Sequence, residues 1–256
     1  YTHGNGFVAA PANEVVTTAG QEGGEPNFTS RDLPVKGDID IDQSRIYYGE
    51  LIKDYSVVGA PTGATAREFD RPEGGGSDQG QINNTYNGKG GVSVGSFFRQ
   101  LTFAIYYRER NFLLSSAVND ASKVLYVRDP RERVEKAAPF LEVDGDPYPA
   151  VIDGRVTWML DGYTTSDSYP YAEQMELGEA AADALTGTGT TALPDETFNY
   201  IRNSVKATVD AYDGTVTLYA WDDEDPVLKT FMKAFPGVIK PKGDIDIDQS
   251  RIYYGE

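Results

Sequence analysis

The fold is decided by residues 206–221, which read KATVDAYDGTVTLYAW. Two runs rich in β-branched and aromatic residues flank the dipeptide Asp213-Gly214, which tolerates the positive φ angles of a tight type I′ turn. The stretch therefore predicts a β-hairpin. A second hairpin is predicted where residues 150–152 and 156–160 flank Asp153-Gly154.

Short helices are predicted outside the hairpins, at three capping signals. Ser96 precedes apolar residues at helical spacing. Asp-Pro pairs at residues 129–130 and 225–226 combine a side-chain acceptor with a proline that has no amide to leave unpaired. Because strands and helices mix without regular βαβ alternation, the sequence predicts an α+β fold, a largely antiparallel sheet with hairpins and several short helices packed on it. We expect residues 1–240 to form a single domain.

Two other segments complete the predicted organisation. From Asp38 to Tyr48 the residues Ile39, Ile41, Ile46 and Tyr48 form an alternating pattern, which suits strands with one buried face. Residues 72–91 are rich in glycine and poor in apolar side chains, so they are predicted to form an exposed loop.

The chain is strongly acidic, and this charge excludes some partners. Its 256 residues include 40 acidic and 23 basic side chains, which give a formal net charge of −17. Phosphate backbones and anionic lipid headgroups would be repelled, so nucleic acid is excluded as a partner. The absence of cysteine rules out disulfides, thiolate nucleophiles and zinc-thiolate sites. In the most apolar stretch, residues 92–114, charged side chains interrupt the apolar run that a membrane-spanning helix needs.

The spacing of candidate metal ligands does not predict a metal or cofactor site. Asp38, Asp40 and Asp42 supply oxygen ligands at every second position. Counted from Asp38, the sixth and twelfth positions are Gln43 and Gly49, where an EF-hand needs glycine and a bidentate glutamate. The aspartates are therefore interpreted as the water-facing side of a strand, and no metal, cofactor or calcium dependence is expected.

No catalytic set is predicted either. His3 is the single histidine, so a histidine relay would have to run through a residue at the frayed start of the chain. Asp144, Asp146 and Asp153 could share general acid and base roles. They are interspersed with glycine and proline, and are better explained as turn residues.

The best candidate for a binding surface is a run of tyrosine, threonine and aspartate in the second half of the chain. Tyrosine offers a large contact area with few rotatable bonds, which suits adaptable recognition. Half-buried tyrosines that cover a sheet face are the alternative explanation. The candidate binding residues are Tyr163, Thr165, Asp167, Tyr169 and Tyr171.

Five strings support a resemblance to a known family. They read YTHGNG at residues 1–6, RIYYGE at 45–50, RDPRERVEK at 128–136, YTTSD at 163–167 and YIRNSVKATVDAYDG at 200–214. In this order they resemble an uncharacterised family of actinobacterial polytopic membrane proteins, in which several membrane helices precede a large domain outside the cytoplasm. The resemblance covers residues 1–240 and implies a location on the extracytoplasmic side of the cell membrane, with the membrane helices of the parent protein as partners. It implies no activity and no catalytic residue.

An exact repeat ends the sequence, because residues 36–50 and 242–256 are both KGDIDIDQSRIYYGE. Natural internal repeats drift, and solenoid repeats need several adjacent units. We therefore expect residues 241–256 to hold a second copy of artificial origin. The copy would be either a frayed tail or an exchanged strand that pairs with another molecule and causes self-association.

Together these features predict an extracytoplasmic binding or assembly module of an integral membrane protein, with no reaction identified. The alternative is a cell-envelope hydrolase that uses acidic residues such as Asp144, Asp146 and Asp167. A carboxylate with a strongly raised pKa inside a deep pocket would favour the hydrolase.

Overall fold

A computed structural model describes residues 2–16, 24–73, 80–176 and 197–244. The fold is α+β, as predicted, with several antiparallel sheets and a few short helices.

Contacts divide the chain into two compact units. The first consists of Tyr1–Tyr47, Asp54–Tyr126 and Gly154–Val156. The second consists of Tyr48–Lys53, Val127–Asp153 and Thr157–Glu256. The single domain expected over residues 1–240 stays a prediction.

The first unit is built from short strands and two helices. Their bounds, in chain order, are β1 (Gly4–Asn5), β2 (Val15–Val16), β3 (Glu25–Pro26), β4 (Ser30–Arg31), β5 (Lys36–Gly37), β6 (Arg45–Ile46), β7 (Ser56–Val58), β8 (Glu68–Pro72), β9 (Gln81–Asn84), β10 (Val92–Ser93), α1 (Phe97–Tyr107), α2 (Asn111–Leu114) and β11 (Lys123–Leu125).

All of these strands pair antiparallel. β1 pairs with β6, β2 with β3, β4 with β5 and β8 with β9. A three-stranded sheet has the order β10-β11-β7.

Helix α1 packs its inner face into the core of the first unit. Ser96 caps the helix as predicted, because its side chain accepts a hydrogen bond from a first-turn amide. Phe103 and Tyr107, one helical turn apart, stack on Phe112 of α2 with ring centroids 5.8 and 6.0 Å apart. These rings pack in one cluster with Val124 of β11, so the helix pair and the three-stranded sheet share one core.

Of the strands predicted from Asp38 to Tyr48, β6 (Arg45–Ile46) forms, whereas residues 38–42 form no strand. The amide of Asp38 donates to the carbonyl of Thr29, and the amide of Ile39 donates to the hydroxyl of Ser30, so neither joins a strand ladder there. Alternation persists in exposure alone, since the aspartates are exposed and the isoleucines are half-buried.

The loop predicted over residues 72–91 is wrong in part. Its middle contains β9, which pairs with β8. The register of this pair shifts between Phe69 and Arg71 of β8. The glycine content of the segment did not indicate this strand, because β9 depends on pairing with β8, which begins before the glycine-rich stretch.

The two copies of the repeated string begin differently. In the first copy Gly37 lies in β5 with φ of 139°, and a Cβ there would lie 1.9 Å from the carbonyl oxygen of Thr29. In the second copy Lys242–Asp244 forms a 3-10 turn, and a Cβ on Gly243 would meet nothing within 4 Å. Residues 245–256 lie outside the described residues, so the frayed tail or exchanged strand stays a prediction.

The second unit contains longer strands and two helices. Their bounds are α3 (Pro130–Ala137), β12 (Glu142–Val143), β13 (Tyr148–Ile152), β14 (Arg155–Ser166, in this unit from Thr157 onward), β15 (Met175–Glu176), β16 (Thr197–Phe198), β17 (Tyr200–Asp210), β18 (Val216–Ala220), α4 (Pro226–Ala234) and β19 (Ile239–Pro241).

A six-stranded sheet organises the second unit. Its order is β12-β14-β17-β18-β19, and β13 pairs with β14 beside this path. From β12 to β18 the neighbours are antiparallel, whereas β19 follows α4 and lies parallel to β18. Val134 of α3 and Leu228 of α4 pack with Val205 and Leu218 in the main core of this unit, and Met159 belongs to a separate, smaller cluster.

Both helices of the second unit begin at the predicted Asp-Pro signals. Asp129 accepts a hydrogen bond from the amide of Glu132 at 3.1 Å, and Asp225 accepts one from the amide of Val227 at 2.9 Å. No helix in the described ranges is long and apolar enough to cross a membrane.

Asp225 does more than cap α4. It is fully buried and accepts hydrogen bonds from the hydroxyls of Thr164, Ser204 and Tyr200. Burial alone would raise the pKa of Asp225, but these hydrogen bonds hold it below its ordinary value. The carboxylate therefore ties the start of α4 to β14 and β17.

The hairpin turn at Asp153-Gly154 agrees with its prediction. Both residues have positive φ, at 50° and 70°, as a type I′ turn requires. β13 and β14 follow each other directly across it.

The turn at Asp213-Gly214 is longer than predicted. The amide of Gly214, which has φ of 68°, donates to the carbonyl of Asp210 at 2.7 Å. The side chain of Asp210 accepts from the amides of Tyr212 and Asp213 at 2.8 and 2.7 Å, and this stabilises the wider turn. A Cβ on Gly214 would lie 2.5 Å from the ring of Tyr48, which is fully buried.

Gly214→Val should lower the free energy of unfolding by more than Gly237→Val, by at least about 1 kcal/mol. Both glycines have positive φ, but a Cβ on Gly237 would meet nothing within 4 Å, so the difference isolates the clash with Tyr48. Urea denaturation of the two variants measures it. Equal midpoints would contradict the close approach of this turn to Tyr48.

Candidate functional site

The first unit contains a cavity of about 390 Å³. Small-molecule sites occupy roughly 300–1,000 Å³ and combine apolar walls with a few polar groups. Val58 of β7 and Phe69 of β8 supply apolar wall here, whereas Thr85 and Asn119 supply polar groups. The cavity therefore has the size and the mixed lining of a small-molecule site.

The carboxylate of Glu68 is fixed at the wall of this cavity by three donors. Its Oε1 accepts from the amide of Gly59 at 2.9 Å, and its two oxygens accept from the amide of Tyr86 at 3.0 and 3.1 Å. The hydroxyl of Tyr47 donates to Oε2 at 2.6 Å. Gly59 has φ of 85°, and a Cβ there would lie 2.9 Å from the carbonyl oxygen of Ala121. Only glycine fits this position without strain.

A charged cluster adjoins Tyr47. Arg45 and Asp70 form a bidentate pair, with N–O distances of 2.6 and 3.1 Å, and Asn5 donates to the same carboxylate at 3.1 Å. His3 Nε2 lies 3.7 Å from Asp70 Oδ1, which is beyond hydrogen-bond distance, and the His3 and Tyr47 ring centroids are 4.7 Å apart. The expectation of a frayed start at His3 is wrong, since its side chain is fully buried among these residues.

Arg67 is the cation that this cavity offers to a ligand. It lines the cavity, is exposed, and has no ion pair within the described part of the chain. Glu68 is unsuited to proton transfer, because its oxygens are already engaged by Gly59, Tyr86 and Tyr47. The described residues also contain no group of three histidine, aspartate or glutamate side chains that could hold a metal ion. The arrangement suits binding of an anionic group.

A second cavity of about 220 Å³ lies alongside the first. The two share Val57 and Ala117 in their walls. The second is lined mainly by rings and aliphatic groups, including Tyr55, Phe112 and Val118.

Two of the five predicted binding residues lie on one face of β14. Tyr163 and Thr165 alternate along the strand with the buried Thr164 and are half-buried themselves. The hydroxyl of Tyr163 donates to Asp144 at 3.0 Å. Burial first, and then the charge of Asp144, raises the pKa of Tyr163.

The other three predicted binding residues follow the end of β14 and are exposed. Tyr169 stacks on Tyr200 with ring centroids 5.6 Å apart, and Asn199 bonds both its amide and its carbonyl at 2.9 Å. Asp167 accepts from the adjacent serine hydroxyl, and Tyr171 has φ of 62°. No described hydrogen bond or ring contact joins the five to one another, and their role in binding stays a prediction.

The acidic residues of the hydrolase hypothesis are partly explained by turns. The side chain of Asp144 accepts from the amide of Asp146 at 3.1 Å, as in a turn. Burial first, and then the charges of Asp146 and Asp129, raises the pKa of Glu50, which the sequence did not single out. Glu50 lines neither of the two cavities.

The cavity residues that the sequence missed depend on distant partners. Glu68 meets Tyr47, Gly59 and Tyr86 across spacings of 9 to 21 residues. The only local signal was a glycine at position 59 after a short β-branched run, and such a glycine is consistent with a turn of any kind.

Glu68→Gln should lower the free energy of unfolding by about 1–3 kcal/mol, because an amide NH₂ replaces one of the acceptors that face amide and hydroxyl donors. Glu73→Gln, on the exposed end of the same hairpin, should have little effect. Urea denaturation compares the two. A Glu68 variant as stable as the Glu73 variant would show that the carboxylate does not hold the cavity wall.

Comparison with known proteins shows relatives that are more than half identical to this chain over nearly its whole length. A UPF0182 protein of Frankia alni is 55% identical over 249 residues, which cover 96% of this chain and 23% of the relative. A UPF0182 protein of Salinispora tropica is 57% identical over 263 residues, which cover 98% of this chain and 26% of the relative. The chain thus spans about a quarter of the length of these relatives.

No solved structure gives a significant match to the chain. The profile of the uncharacterised protein family UPF0182 matches residues 1–256. The resemblance to an uncharacterised actinobacterial family is therefore confirmed, while the membrane nature of the parent protein stays a prediction. This chain belongs to the uncharacterised protein family UPF0182.

Proposed function

We propose that this chain is a binding module on the extracytoplasmic side of an integral membrane protein, and that the cavity beside Glu68 is its ligand site. The observation that carries the proposal is the cavity itself, whose wall is fixed by the hydrogen bonds of the Glu68 carboxylate. A wall held in place before the ligand arrives reduces the entropy that binding must offset.

The chemistry of the wall favours binding over turnover. The carboxylate in the wall is committed to its own donors, whereas Arg67 has no ion pair in the ranges described. An unpaired guanidinium beside the apolar Val58 and Phe69 fits a small ligand that carries a carboxylate or phosphate on an apolar body.

The location rests on the family resemblance. The chain spans about a quarter of the length of its relatives, and most of each relative lies outside the matched region. We infer that membrane helices of the parent anchor this region on the outer side of the cell membrane.

The hydrolase alternative is favoured by one observation, the raised pKa of Glu50 next to Asp146. A general acid needs such a carboxyl, but also a cleft that admits substrate. The proposed binding function therefore remains the better supported of the two.

Binding should be detectable with simple probes. Benzoate and phenyl phosphate each join an anionic group to an apolar ring, and ligand-observed NMR measures their dissociation constants for the chain. Arg67→Gln should raise the dissociation constant of the tighter-binding probe by at least about tenfold, because a charge-assisted hydrogen bond is lost. Arg31→Gln, at an exposed position of the same unit, should leave binding unchanged. Binding that is absent, or equally strong in both variants, would reject the cavity as an anion site.

The location should be testable with a single introduced cysteine, since the chain contains none. Leu51 is 97% exposed, so Leu51→Cys in the full-length parent protein should react with a membrane-impermeant maleimide in intact actinobacterial cells. The parent without this substitution controls for cysteines outside this region. Labelling only after lysis would place the region in the cytoplasm and overturn the proposed side.

A further inference from the structure

Helix α1 is apolar on two opposite faces, and only one of them is covered within the described residues. Phe103, Ala104 and Tyr107 point into the core of the first unit. A helix that is apolar all round is normally buried all round. The uncovered face carries large side chains with these exposed fractions: Phe97 63%, Phe98 79%, Ile105 69% and Tyr106 75%, continued on α2 by Leu114 at 76%.

This uncovered surface, the outer α1–α2 face, is bordered by arginine. Arg99, Arg108 and Arg110 lie in α1 or directly after it, and Glu109 is the single acid among residues 96–118. The stretch therefore carries a formal charge of +2 in a chain of −17. Arg108 and Arg110 are exposed and have no ion pair in the described part of the chain.

The charge pattern disfavours a second copy as the occupant of this face. A two-fold contact would place the same face opposite itself, and the arginines of the two copies would meet. Like charges at close range across an interface are destabilising.

The same pattern suits a lipid surface. Aromatic rings and aliphatic groups enter the boundary between headgroups and acyl chains, and arginines at the border reach the lipid phosphates. The face is the outside of a helix, and interfacial helices bury such a ridge by roughly 5–10 Å. The net negative charge of the chain predicts repulsion from anionic lipid, but charges beyond about 8–10 Å are screened at physiological salt, so the local arginines dominate at this face.

We propose that the outer α1–α2 face binds the surface of an anionic phospholipid bilayer. This contact is separate from the ligand cavity, and it needs no membrane helix of the parent protein.

Flotation with vesicles tests the proposal on the whole 256-residue chain. The chain should float with vesicles of equal parts phosphatidylcholine and phosphatidylglycerol, and should float less with phosphatidylcholine alone. The triple variant Phe98→Ser, Ile105→Ser, Tyr106→Ser should lose at least about tenfold in partition coefficient. Arg108→Gln and Arg110→Gln should each cost about fivefold on anionic vesicles, and little on neutral ones.

A matched control uses exposed apolar residues away from this face. Leu51→Ser with Met175→Ser removes two large side chains that are 97% and 62% exposed, and should not change flotation. Urea midpoints of all variants show that folding is retained, as expected for exposed positions.

Two outcomes would overturn the proposal. One is flotation that is absent on both vesicles or unchanged in the triple variant. The other combines two results: the unsubstituted chain fails to float, and light scattering shows a concentration-dependent dimer that the triple variant abolishes. A second copy would then cover the face.

Discussion

The hydrogen-bonded carboxylate of Glu68 is the constraint on which the candidate site depends. It joins the start of β8 to the loop at Gly59, to the segment after β9 at Tyr86, and to the ring of Tyr47. Each of these segments lacks extensive regular structure, so ordering them costs backbone entropy that few ladder bonds offset. One charged acceptor shared by several donors compensates for that shortage, because hydrogen bonds to ionised groups are stronger than neutral ones.

Asp225 has the corresponding role in the second unit. Both carboxylates accept hydrogen bonds from hydroxyl and amide donors that come from distant segments of the chain. Many acidic side chains in a sequence therefore do not by themselves indicate catalysis. Acidic residues here also act as helix caps and turn acceptors, as Asp129 and Asp210 do, and such roles require only a side-chain oxygen that accepts from backbone amides.

Sequence reasoning succeeded where the structure depends on neighbouring residues. The caps at Ser96, Asp129 and Asp225 and the type I′ turn at Asp153 are set by contacts within a few positions. It failed for residues 38–42, where period-two alternation was present but the amides of Asp38, Ile39 and Asp42 bond to Thr29, Ser30 and Gly154 without forming a ladder. It also failed to find the cavity.

The reason for the missed cavity is physical. Its wall is made by long-range hydrogen bonds, and a glutamate in a strand has the same local pattern whether its carboxylate meets water or three donors. The family strings at residues 45–50 did contain Arg45 and Tyr47, both of which contribute to this site. The strings supported the family resemblance but did not indicate the chemical role of these two residues. Their partners, Asp70 and Glu68, lie outside every one of the strings.

The second residue of the repeated string, a glycine in both copies, is under unequal constraint in the two. Gly37 cannot accept a side chain without displacing the backbone of Thr29, whereas Gly243 has free space around it. The same string therefore meets two different backbone environments at its second residue, and identity of sequence does not bring identity of structural constraint.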